Sequence, residues 1–87
     1  MYFVYMIKNN LNKLYIGVSK DPLKRVFHHN SRRGSVFTKT GKFKIVFLEK
    51  YKFLSEARAR EIQIKKWSRI KKDFLIEKYQ KGFSTKY

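Results

Sequence analysis

The chain contains no cysteine, which excludes disulfides, thiolate nucleophiles and zinc sites built on sulfur. One proline and four glycines leave no low-complexity linker, and no internal repeat appears. Acids are scarce, six against 22 lysines and arginines. The two histidines, His28 and His29, are adjacent and lack metal-binding companions. No apolar run approaches the roughly 18 residues of a spanning helix, and the N-terminal stretch does not read as the basic leader of a signal peptide. A cytoplasmic location is therefore expected.

What is present is enough for one folded unit. Eighty-seven residues, 43% of them hydrophobic, with eight Phe, six Tyr and one Trp, can build one small domain, and a second independent core is not expected. The formal charge of +16 makes a polyanion the first expected partner. A nucleic acid fits best, and an anionic membrane surface is the rival.

Residues Tyr2 to Lys8 are rich in β-formers, Asn9 to Lys13 is turn-like, and Leu14 to Val18 is again apolar, so a β-hairpin is expected. Asp21-Pro22 supplies an N-cap and a first helical residue for a helix to about Asn30, with Leu23, Val26 and Phe27 as its apolar stripe. Ser31 to Lys42 reads as a flexible basic loop. Phe43, Ile45 and Phe47 alternate into a third strand with one well-buried face. Ser55 is the expected cap of a second helix to about Trp67. Ser68 caps a third from Arg69 to Tyr79, closed by Gly82. The order β-β-α-β-α-α implies an α/β (α+β) domain over 1–82, a small, mostly antiparallel three-stranded sheet flanked by three helices. Residues 83–87 are expected to form a loose tail.

Arg25 and His29, four residues apart, share one face of the first helix. On the second helix Glu61 lies about 40° round from Ala57, at the edge of the stripe formed with Ile64 and Trp67. Its carboxylate is thereby held near the core boundary. The other acids have simpler explanations: Asp21 caps, Glu56 and Asp73 occupy first turns, Glu77 precedes Lys81 by four, and Glu49 reads as a solvated strand charge. Two strand phenols, Tyr5 and Tyr15, complete a set suited to cutting a phosphodiester. A carboxylate ligates Mg²⁺, a guanidinium steadies a phosphate, and a phenol acting as base needs a cation or proton acceptor nearby. His29 can be that acceptor.

Phe3-Val4-Tyr5 and Tyr15-Ile16-Gly17, followed by Arg25, His29 and Glu61, resemble a GIY-YIG nuclease domain over essentially the whole chain, in particular its small single-domain members. The segments "YIGVS", "DPLKRVFHH" and "EARAREIQIKKW" carry that likeness. The resemblance implies a one-metal endonuclease with Mg²⁺, for which Mn²⁺ can substitute, held by Glu61. Tyr5, Tyr15, Arg25, His29 and Glu61 form its implied catalytic centre. DNA is the expected partner, with RNA left open; no membrane involvement is expected, and the chain is expected to act as a monomer or weak homodimer. Phe3 stands where the family name has glycine, Val4 where it has isoleucine, and Val18 where some relatives carry a lysine. With no separate DNA-reading module after the core, low sequence specificity and a preference for nicked or branched DNA are expected.

The same residues have plainer uses. Tyr5 and Tyr15 serve as strand aromatics, Arg25 and His29 as a solvated basic face, Glu61 as a helical partner of Lys65, and Trp67 as core filling. Lys20, Lys24, Arg32, Arg33, Lys39, Lys42, Lys65 and Lys66 are assigned to phosphate positioning. A scaffold that binds nucleic acid without cutting it is the alternative, and the Phe3 and Val18 departures favour it.

Overall fold

The computed structural model describes residues 1–33 and 42–85, apart from the side chains at positions 29 and 31–33. Its elements run β1 (Tyr2–Lys8), β2 (Leu14–Ser19), α1 (Pro22–Arg33), β3 (Lys44–Tyr51), α2 (Leu54–Lys65) and α3 (Arg69–Gln80). This is the expected β-β-α-β-α-α order, an α+β fold on one antiparallel sheet of strand order β2-β1-β3. Helix α1 continues three residues into the expected basic loop; residues 34–41 of that loop, Lys39 among them, lie outside the described residues.

The hairpin turn is built on Asn9. Its buried side chain accepts from the Leu11 and Lys13 amides, both at 3.0 Å, and Asn12 takes the left-handed conformation at φ 64°, which asparagine tolerates better than most residues. Strand β1 lies in the middle of the sheet and is buried on both faces, with Val4 and Met6 at 0% exposure, Ile7 at 4% and Tyr5 at 8%. Alternate residues along a strand point to opposite faces, so β1 serves two cores. Val4 and Met6 pack with Phe47, Ala57, Ile64, Leu75 and Ile76 under α2 and α3. Tyr5 and Ile7 pack with Val26 and Phe43 under α1.

Strand β3 does not keep the single buried face that its alternation suggests. Ile7 pairs with Ile45 while Met6 pairs with Phe47, so Val46 is an extra residue at a β-bulge. The bulge reverses the parity of everything after it. Phe43 joins the α1 side and Phe47 the α2/α3 side. The apolar stripe on α1 is likewise narrower than its spacing suggests: Pro22 and Val26 are buried, whereas Leu23 is 74% and Phe27 66% exposed. Each exposed residue lies about 100° round the helix from a buried one, beyond the line along which α1 meets so small a sheet. The cap of α2 also differs. Phe53, not Ser55, is the N-cap residue, and its amide donates to the Glu56 carboxylate at 3.4 Å. Asp21 and Ser68 cap α1 and α3 as expected, accepting from Lys24 and Lys71. Asn30, near the end of α1, binds both backbone groups of Phe43, at 2.9 and 2.8 Å, and so fastens α1 to the start of β3.

Glu49 is not a solvated charge. After the bulge its side chain faces α2, where it is 4% exposed at the residue level. Arg60 donates to both its oxygens, at 2.9 and 3.1 Å, and further to Gln63 and the Thr85 carbonyl. Tyr51 donates to the same carboxylate at 2.8 Å. Burial, with this hydrogen bond and the Glu49 charge, pushes the Tyr51 phenol well above its ordinary range.

Two outcomes follow from this cluster. Arg60→Ala leaves a buried carboxylate uncompensated and is expected to cost about 3–5 kcal/mol of unfolding free energy in urea melts, whereas the joint change Glu49→Gln, Arg60→Met costs much less than the two single losses together. Because the folded Tyr51 holds its proton more tightly than the unfolded one, its contribution is complete below the ordinary phenol value of about 10 and is lost as pH rises above it. Tyr51→Phe should therefore flatten the alkaline fall in stability measured from about pH 9 upward.

Candidate active site

Register places the two motif triplets against each other. Tyr5 pairs with Gly17 and Ile7 with Tyr15, so Tyr5, Tyr15 and Gly17 share one sheet face. The Tyr5 ring lies over Gly17: a Cβ there would sit 2.5 Å from the Tyr5 hydroxyl oxygen, 2.7 Å from Cζ and 2.9 Å from Cε2. Glycine is thus required by the phenol that crosses it rather than by an unusual backbone angle. Tyr5 is 8% exposed, and among the described residues its hydroxyl has no hydrogen-bond partner. Buried polar groups are nearly always partnered, and exceptions call for an explanation. Tyr15 is 42% exposed and meets Phe43 edge to face, with ring centroids 5.2 Å apart.

Helix α1 covers this face through Val26, which packs with Tyr5. Arg25 is the exposed neighbour of Val26, on the side of the buried stripe opposite Phe27 by helical angle. Position 29 lies one turn further along α1; its side chain, like those of Arg32 and Arg33, lies outside the description.

Glu61 belongs to α2, between Ala57 and Ile64 on the helix's buried side. It is 7% exposed, so it does not face bulk solvent. Its helix neighbours Ala57 and Ile64 pack with Val4 and Met6, on the sheet face opposite the phenols. The element common to both sides is β2, the edge strand: the Tyr5 ring reaches over its Gly17, while its Ile16 and Val18 pack against the α2/α3 core. Both Glu61 oxygens carry ion pairs, Oε1 with Arg58 at 3.2 Å and Oε2 with Lys65 at 3.3 Å, and both partners are more than half exposed. The Arg58 pairing, at helical spacing i,i+3, went unread in the sequence.

This arrangement determines what Glu61 can hold. Among the described residues no group of three or more acids and histidines converges, so these residues offer no cage made wholly of protein. Mg²⁺ needs less: one carboxylate, retained waters and substrate oxygens. A divalent ion can displace the Glu61 pairings cheaply, because Arg58 and Lys65 return to water when released. The carboxylate fits a one-ligand magnesium site.

The GIY-YIG catalytic domain profile matches residues 1–74. The chain belongs to the GIY-YIG family. Similar proteins include a UPF0213 protein of Staphylococcus epidermidis, 39% identical over 87% of this chain and 94% of its own length. A UPF0213 protein of Staphylococcus aureus is 40% identical over the same shares. Among solved structures, the solution NMR structure of a UPF0213 protein from Bacillus halodurans superimposes with a TM-score of 0.58, at 29% identity over 88% of this chain and 84% of that one. GIY-YIG membership gives the hairpin geometry its context: in this chain, Tyr5 of the first triplet and Gly17 of the second are one steric unit.

Lys20, Lys24, Lys42, Lys65 and Lys66 are exposed, with the Lys20 ammonium 5.4 Å from the Tyr2 ring centroid. Glu49 and Arg60, which the sequence did not mark as a pair, are structural.

Gly17→Ala is expected to displace the Tyr5 ring and cost about 1–3 kcal/mol by overpacking. Combining it with Tyr5→Leu should recover part of that loss, so a double-mutant cycle by thermal or urea melts reads a coupling well above zero. Additive effects would mean that the two residues do not touch.

Proposed function

We propose that the protein is a Mg²⁺-dependent DNA endonuclease that hydrolyses phosphodiester bonds with low sequence specificity, on nicked or branched DNA. GIY-YIG membership supports nuclease chemistry at the family level. The observation that carries the reading to this chain is the Tyr5 hydroxyl, buried over Gly17 and without a hydrogen-bond partner among the described residues. A phenol needed only for packing would be served as well by phenylalanine, without the cost of an unmade hydrogen bond.

In this reading Glu61 holds the metal, which supplies Lewis-acid polarisation of the phosphate and a more acidic water. Tyr5, or His29 as its partner, takes the proton of the attacking water. Arg25 stabilises the charge that develops on the phosphate, and Tyr15 orients the set from the neighbouring strand position. Lys20, Lys24, Lys42, Lys65 and Lys66 hold the backbone without reading sequence; Arg32, Arg33 and Lys39 are assigned the same role from the sequence. Lys65, which pairs with Glu61 at 3.3 Å, would have a second use: with a metal held at Glu61, its ammonium would be available to a phosphate. No helix among the described residues is long and apolar enough to cross a membrane, and we assign the activity to the cytoplasm, to a monomer or weak homodimer.

Supercoiled plasmid incubated with purified protein and Mg²⁺ should be nicked, with activity removed by EDTA and restored by Mg²⁺ or Mn²⁺. Glu61→Ala and Tyr5→Phe should each lower the rate at least about a hundredfold, the scale of a lost proton-transfer or electrostatic group. Melting curves should show both variants folded. Equal nicking by all three proteins identifies a contaminant, and salt-dependent binding without Mg²⁺-dependent product leaves a binding scaffold instead.

A further inference from the structure

A second feature lies beyond the end of α2. A cavity of about 280 Å³ opens there, lined by Arg60, Trp67 and one face of α3. Lys71, Phe74, Leu75 and Lys78 recur at helical spacing on that face and all line it. Leu75 is 6% exposed and belongs to the core, whereas the Phe74 ring is 62% exposed at the rim. Trp67 is half-buried and packs against the same core. The Arg60 guanidinium lies 5.2 Å from the Trp67 ring centroid and the Lys71 ammonium 4.3 Å.

Among the described residues the lining, completed by Thr85, has no acid, three cations and two aromatic rings. A ligand complementary to it is flat, apolar across its faces and anionic at its edge. The volume is near the lower bound of small-ligand pockets, room for one planar group rather than a folded segment. We propose that this cavity is a subsite for a single unpaired base of a nucleic-acid strand, stacked on Trp67 and Phe74 with a flanking phosphate at Lys71 or Lys78. The proposal rests on the nucleic-acid reading of the +16 charge, not on cleavage.

The present occupant of the ring face yields readily. Base–aromatic stacking is worth more than an exposed cation–π contact, and Lys71 is exposed, so its ammonium can move from the ring to the phosphate without being buried. Arg60 cannot move in the same way. Its two hydrogen bonds to Glu49 fix it as a rigid back wall beside the indole. Trp67 lies six residues after Glu61, just past the C-cap of the same helix, so a strand passing the proposed catalytic centre can place a nearby unpaired base here. Such a subsite would give a preference for distorted DNA without any base-edge readout.

Trp67 is the only tryptophan in the chain, so its emission reports on the cavity directly. The full chain is titrated in EDTA with a single-stranded oligonucleotide of about 12 nucleotides, a blunt duplex of equal length, and inorganic polyphosphate. The single strand should quench Trp67, while the duplex and polyphosphate bind, by anisotropy competition, with emission unchanged. Phe74→Ala, at an exposed site, should weaken single-strand binding by about fivefold or more and leave duplex binding as it was. Trp67→Phe, which keeps an aromatic ring against the core, should weaken single-strand binding less. Quenching by polyphosphate equal to that by the single strand overturns the base subsite in favour of charge alone. Single-strand binding with no quenching overturns it too, since the strand then avoids the cavity. A protein that quenches but does not nick refutes the endonuclease reading alone; one that nicks with unquenched Trp67 refutes the subsite alone.

Discussion

The molecule depends on β1 being wall to two cores at once. Its Val4 and Met6 anchor α2 and α3, its Tyr5 and Ile7 anchor α1, and no residue from Val4 to Ile7 is more than 8% exposed. A strand buried on both faces admits no slip, because moving it by one residue would exchange the two sets of side chains. That fixes the register with β2, and the register brings Tyr5 over Gly17. The proposed catalytic phenol is therefore placed by the same constraint that holds the fold.

Two of the six acids are buried, and their partners differ in kind. Glu49 is held by Arg60, itself buried and committed to Gln63 and the Thr85 carbonyl. Release of Glu49 would strand a cation inside the protein, so this pair is permanent. Glu61 is held by Arg58 and Lys65, whose side chains are 56% and 55% exposed. Its partners return to water at little cost once another cation takes their place at the carboxylate. Two carboxylates that look alike in burial thus have opposite availability, and the exchangeable one is the residue to which the family resemblance assigns the metal.

Much of this was legible in the sequence because it is local. Asn9 and Asn12 mark the turn, Asp21 and Ser68 mark helix starts, and the helical angle between Ala57 and Glu61 places that acid at the core boundary; each needs only neighbours a few residues away. What escaped needs distant information. The bulge at Val46 leaves no mark in the alternation of Phe43, Ile45 and Phe47, yet it turns Glu49 toward α2. The partner that makes that burial tolerable is eleven residues on, in another element. Leu23 and Phe27 misled because apolar spacing tells which residues could be covered, not how wide the covering surface is. The triplets were recognisable as a motif, but the steric reason for Gly17 appears only once two strands are paired.

Among the described residues the strand order β2-β1-β3 leaves the sheet with two unpaired margins, each a row of backbone donors and acceptors able to template another strand. Lys13 and Lys20 bracket β2, while Lys44 and Lys50 lie within β3 and Lys52 just beyond it, all of them exposed. Charges so placed repel a second copy before its margin can align, and the reach of that repulsion shrinks from about 10 Å at 0.1 M salt to about 3 Å at 1 M. Concentrated salt, rather than high protein concentration alone, is then the condition that invites aggregation by strand addition.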